Sequence, residues 1–75
     1  MVPLPFCKDG KEVRVKEIKG GRRALERLSS LGIYPGAKLE VLNTKGGPVL
    51  VKVGESRIGL GFGIASKVFV EEEER

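Results

Sequence analysis

The chain has 75 residues, enough for one small domain with a thin core but not for a cleft between two domains. Hydrophobic residues make up 40% and charged residues 32%, which excludes an unstructured tail; one cysteine and no histidine exclude an internal disulfide and the commonest general base. The formal net charge is +4, yet Glu71–Glu74 hold four of the ten acids, so residues 1–70 form a basic body of 13 Lys and Arg against six acids.

Pro3 and Pro5 keep the start of the chain extended, with Leu4 and Phe6 set to tuck one edge of a core. Asp9-Gly10 signals a turn. Glu12 to Lys16 alternates strictly, which predicts a strand with Val13 and Val15 inward. Ile18 breaks that parity and predicts a bulge or strand end near Glu17. After Gly20-Gly21, the apolar residues Ala24, Leu25, Leu28 and Leu31 recur at helical spacing and are expected to pack as one stripe. Gly32 suits the left-handed residue that ends a helix, and Pro35-Gly36 suits the centre of a type II turn.

Three more strands are expected across residues 37–42, 49–53 and 56–60. Between the first two lies a Gly-rich loop, and Gly54-Glu55 reads as a two-residue type II′ hairpin turn between the others. A single helical turn over Ile64-Ala65-Ser66 precedes a closing strand over residues 67–70. The order β, α, β, β, β, β predicts a mainly β fold, a small five-stranded barrel with an inserted short helix capping one end. It forms one domain over 1–75, with a core over about 7–70 and a solvated acidic tail over 71–75. No apolar run approaches the ~20 residues of a membrane span, and the start lacks the pattern of a signal peptide. A cytoplasmic protein without direct membrane insertion is expected. The chain has a single Asn, no Gln and many Glu, Lys and Val, a usage resembling that of thermophiles.

Little in the chain suggests catalysis. Cys7 has no histidine to activate it, no serine has a recognisable base, and adjacent carboxylates occur only in the tail. Cys7, Asp9 and Glu12 are the candidates for a metal site, but their residue types fit one weakly. Gly59-Leu60-Gly61-Phe62-Gly63 lacks the context of a phosphate loop and reads as close backbone approach at a barrel corner. A basic small barrel also admits nucleic-acid binding as an alternative. Phe6, Tyr34, Phe62 and Phe69 do not form the paired platform that single-strand binders use, so no nucleic-acid partner is expected.

The Gly20-Gly21 pair, Arg27-Leu28 followed by Leu31-Gly32-Ile33, and Pro35-Gly36 form one ordered set. Gly47-Pro48-Val49, Ile58-Gly59-Leu60-Gly61 and Ala65 ahead of Val68-Phe69-Val70 extend it. Together, from about Cys7 to Val70, they resemble the FeoA family, small cytoplasmic accessory proteins of ferrous iron uptake. The resemblance implies an SH3-like barrel and a non-enzymatic role beside FeoB, a membrane transporter with a cytoplasmic GTP-binding domain. Transition metal ion binding travels with the family, so a divalent metal (iron, manganese or adventitious zinc) is an implied ligand, though no cofactor is required. Read this way, the outward residues of the helix and the adjoining turn are the candidate partner surface: Arg23, Glu26, Arg27, Ser30, Tyr34 and Pro35. A metal-responsive regulatory domain, related to the C-terminal domain of metal-dependent repressors, is the alternative. Open strand edges leave self-association open as well.

Overall fold

The computed structural model describes residues 1–73; Glu74 and Arg75, the end of the expected acidic tail, lie outside them. The elements run β1 (Val2–Pro3), a 3₁₀ turn (Leu4–Phe6), β2 (Glu12–Ile18), α1 (Arg22–Ser30), β3 (Lys38–Asn43), β4 (Val49–Val53), β5 (Ser56–Leu60), α2 (Phe62–Ala65) and β6 (Val68–Glu72). Among the described residues, the strands make one six-stranded sheet in the order β1-β6-β2-β3-β4-β5. All neighbouring pairs are antiparallel.

The expected mainly β fold with its inserted helix is therefore present, with two differences. A sixth strand exists at β1, where Val2 pairs with Val70 and Pro3 with Phe69. Proline has no N–H for a ladder, and an edge strand is the place that tolerates it. The sheet is also not closed, because β1 and β5 remain its edges. The 3₁₀ turn that follows β1 instead packs against α2, which follows β5. This contact brings Leu4 and Ala65, both fully buried, into one core.

Alternation places Val13, Val15, Leu39, Val41, Val49, Val51, Val68 and Val70 in that core, each no more than 1% exposed. Two bulges adjust the pattern. Lys16 is the extra residue between Val15↔Val70 and Glu17↔Phe69, which returns Ile18 to the inner face. Leu42 is the extra residue between Val41↔Val51 and Asn43↔Leu50. The hairpin between β4 and β5 pairs Val53 with Ser56 around Gly54, whose φ is +60° while Glu55 keeps a negative φ, as a type II′ turn requires.

Phe6 differs from expectation. It is 70% exposed, and Leu4 alone supplies the anchor. The closing strand also runs past Val70, because β2 offers partners to the acids: Glu71 lies opposite Arg14 and Glu72 opposite Val13. Glu73 then donates its backbone N–H to the Glu12 carbonyl at 2.9 Å. The expected solvated tail is thus sheet and ladder as far as Glu73. Every buried residue is apolar, counting the Cys7 thiol, among those described.

Candidate functional site

Helix α1 and the turn after it make the candidate site. Gly21 is the N-cap, with no side-chain acceptor, and Leu31 is the C-cap. The helix ends in a Schellman arrangement: the Ile33 N–H donates to the Leu28 carbonyl and the Gly32 N–H to that of Ser29, each at 2.9 Å. Gly32 has φ +87°, and a Cβ there would stand 3.0 Å from Cγ1 of Val53. This fold-back places Ile33 beside Leu28, both fully buried. The chain then turns at Tyr34–Ala37, where Ala37 donates to the Tyr34 carbonyl at 2.9 Å and Gly36 takes φ +97°. That is the type II turn expected from Pro35-Gly36.

The inner face of α1 is narrower than the expected stripe. At about 100° per residue, Ala24, Leu28 and Leu31 fall within about 60° of one another, while Leu25 lies about 60° beyond Leu28. Leu28 is fully buried, Ala24 and Leu31 are partly so, and Leu25 is 40% exposed. Placing Leu25 in the core is thus corrected: the apolar spacing is helical, but the sheet covers only the middle of the stripe.

Four of the six candidate partner residues share one side of the helix. Glu26, Ser30, Arg23 and Arg27 occupy a continuous arc of about 100° on the outer side of the helix, and all four are exposed. Tyr34 and Pro35 are exposed in the following turn. The Ser30 hydroxyl donates to the Arg27 carbonyl at 2.7 Å, which holds it against the helix. Two residues missing from the expected set extend the surface: Arg22 and the outer flank of Leu25. Helical spacing sets Arg22 opposite the apolar stripe, whereas the exposure of Leu25 is decided by packing.

The metal candidates do not assemble. Cys7 is buried, and burial followed by the Glu72 carboxylate pushes its thiol above the ordinary range, away from the thiolate a metal needs. Asp9 is exposed and engaged: its Oδ1 accepts from the Thr44 N–H at 3.0 Å and from the Thr44 hydroxyl at 3.2 Å. Glu12 lies 4.0 Å from the Lys38 ammonium. Among the described residues, no three of the ligating types are grouped to hold a metal ion.

The sheet's outer face carries its own paired charges. Arg14 donates to Oε1 of Glu73 from Nε at 3.2 Å and from Nη2 at 2.7 Å, and to the Gly36 carbonyl from Nη1 at 2.8 Å. It thereby ties β2 to the end of β6 and to the turn after α1. The Arg14 hydrogen bond holds the Glu73 carboxyl below its ordinary range. A shallow depression of about 230 Å³ lies over β2, β3 and β4, where Glu12 and Glu40 face Lys38 and Lys52. It falls short of the ~300 Å³ at which small-molecule pockets begin, and it is lined mostly by charges.

Comparison with known proteins gives concordant results. The model of the FeoA domain matches residues 2–72. A protein of Methanocaldococcus jannaschii named "Putative Fe(2+) transport protein A" is 46% identical over 74 residues, covering 99% of this chain and 90% of that protein. A crystal structure of an iron uptake regulatory protein (FeoA) superposes with a TM-score of 0.88 at 38% identity and covers 96% of both chains. A manganese-dependent transcriptional repressor superposes with a TM-score of 0.84 at 26% identity; the match covers 95% of this chain but 41% of the repressor.

Proposed function

The chain belongs to the FeoA family, the ferrous iron transport accessory proteins, and on that premise we propose that it docks through α1 and the Tyr34–Ala37 turn on the cytoplasmic side of the FeoB transporter. No helix among the described residues is long and apolar enough to cross a membrane; in this reading the chain acts on the transporter by contact. The observation that carries the reading is the convergence of Arg23, Glu26, Arg27 and Ser30 on one exposed arc, with Tyr34 and Pro35 exposed in the turn that follows. The inner side of the same helix is used up by packing, so its outer residues are free for a partner.

The test is a titration of the chain against the FeoB cytoplasmic region from the same genome, followed by calorimetry or fluorescence anisotropy. Saturable one-to-one binding is expected at micromolar concentrations, and its absence at high micromolar protein and low salt overturns the proposal.

A second reading, a metal-responsive regulatory domain, draws on the repressor neighbour, in which this fold is part of a longer chain. It requires ligands that the described residues do not group. Calorimetric titration with ferrous or manganous ion separates the two readings, since tight stoichiometric heat is expected only from the second.

A further inference from the structure

We propose that the free edge of β5 is a docking surface for a second copy of this chain, the two β5 strands pairing antiparallel about Ile58. β5 is a separate element from α1, so the proposal holds whether or not the helix docks on FeoB.

The hairpin fixes which backbone groups the edge presents. Its type II′ turn makes Val53 and Ser56 a hydrogen-bonded pair, and the unbroken register from Val53↔Ser56 to Val49↔Leu60 carries the alternation along β5. Ser56, Ile58 and Leu60 therefore turn their N–H and C=O groups toward β4. Arg57 and Gly59 turn theirs outward. β5 ends the sheet, and neither residue has a hydrogen-bond partner on that side among the described residues. Both residues are exposed. Two donors and two acceptors thus stand in a row, the template onto which a strand adds.

The opposite edge is built differently. β1 has two residues, and Pro3 has no N–H to give. β5 has five residues, without proline and without a bulge. Pairing of β5 with β1 of a second copy is head-to-tail and meets that blunted strand. Pairing of β5 with β5 is isologous and closes at two copies.

Residue chemistry selects the register. A single antiparallel register engages all four outward groups of both strands: Arg57 lies opposite the second copy's Gly59, and Ile58 lies opposite itself at the two-fold centre. A slip one way sets Arg57 against Arg57, like charges face to face. A slip the other way sets Arg57 against Gly61, past the end of β5. In the selected register the glycine presents no side chain, so nothing opposes the guanidinium. On the other face Ile58, half-buried against the core, meets its copy as a non-hydrogen-bonded pair, the kind whose side chains approach more closely. An extended segment of another protein needs only to supply the four backbone groups; β5 adds a glycine opposite the arginine and an isoleucine opposite the isoleucine.

The experiment is sedimentation equilibrium of the full chain, with amide hydrogen exchange followed by NMR in dilute and concentrated protein. One strand from each copy makes a small interface, so a dimer is expected to form at about 0.1–1 mM protein. As it forms, the Arg57 and Gly59 amides are expected to slow in exchange. Gly59→Arg sets an arginine opposite Arg57 at both symmetric positions and is expected to weaken the dimer about tenfold or more. The variant keeps its fold, which a thermal melt checks: Gly59 has no positive φ, and a Cβ there meets Cβ of Pro48 at 3.7 Å, an ordinary contact. Arg57→Glu alone leaves glycine opposite a charge and is expected to change the affinity less than about threefold. The double variant Arg57→Glu/Gly59→Arg sets opposite charges across the pair and is expected to restore the dimer, which a folding defect does not do. A chain that stays monomeric at about 1 mM, above the range of a weak interface, overturns the proposal. So does a dimer whose Arg57 and Gly59 amides exchange as in dilute protein, or one indifferent to Gly59→Arg, since the contact then lies on another face. Protection of those amides only on addition of the FeoB cytoplasmic region also overturns it and assigns the edge to a strand of that partner.

Discussion

Leu25 and Leu28 are three residues apart on one helix and have opposite environments: 40% exposed against fully buried. Their spacing allows both to be core. What decides between them is how much of the helix circumference the sheet reaches, and that depends on residues far away in sequence. The substitutions should differ accordingly. Leu28→Ala removes a fully enclosed side chain and is expected to cost about 2–5 kcal/mol, the range for large-to-small core changes. In a domain of this size that lowers the melting temperature by roughly 10 °C or more. Leu25→Ala is expected to cost under about 1 kcal/mol. Urea unfolding of the two variants checks the ordering, and equal losses would mean that α1 packs more deeply than its exposure indicates.

At the scale of elements, the turns were the most legible part of the sequence. Gly32, Pro35-Gly36 and Gly54 each occupy the conformation that residue chemistry demanded, with positive φ at all three glycines. Of the bulge or strand end signalled by Ile18, the bulge is present, at Lys16, and the strand continues to Ile18. The strand β1 was not legible, because two residues carry no periodicity and one of them is proline. The continuation of β6 into the acids was hidden for a different reason. A glutamate run reads as solvated, and only the cross-strand partners Arg14 and Val13 make a strand of it. The exposed face of Arg23, Glu26, Arg27 and Ser30 was legible, since helical spacing fixes their relation. The exposure of Leu25 was not, because it lies on the flank where packing decides. The two turn glycines also separate two kinds of cost. Gly32→Ala must adopt φ +87° and press against Val53 at 3.0 Å, whereas Gly36→Ala must adopt φ +97° in open space. Both are strained, by about 1–3 kcal/mol. The first is expected to be the more destabilising, and its C-terminal helical turn the more frayed by amide hydrogen exchange.

Across the whole molecule, the side-chain ion pairs among the described residues gather on β2, β3 and the end of β6. They include the Arg14–Glu73 pair, which fastens the end of β6 to β2. Because Glu73 titrates below its ordinary value of 4.5, its contribution is fully present above that pH and is lost as pH falls through the lowered value. Stability is therefore expected to decline on acidification below about pH 4.5. Glu73→Gln is expected to be less stable than wild type at pH 7 and to lose less between pH 5 and pH 3, as measured by thermal melts. The sheet order has a consequence for how the chain is made. Strand β6 comes late in the sequence, yet it sits between β1 and β2, which come first. On the ribosome, the hairpins of β3, β4 and β5 have all their partners early, while β1 lacks its partner and one side of β2 stays unpaired until β6 has left the exit tunnel. Such long-range closure makes folding slow, and until then the bare edge of β2 offers itself to any other nascent strand. The sheet is completed only by a strand inserted between its two oldest members, so the fold closes only once β6 has emerged.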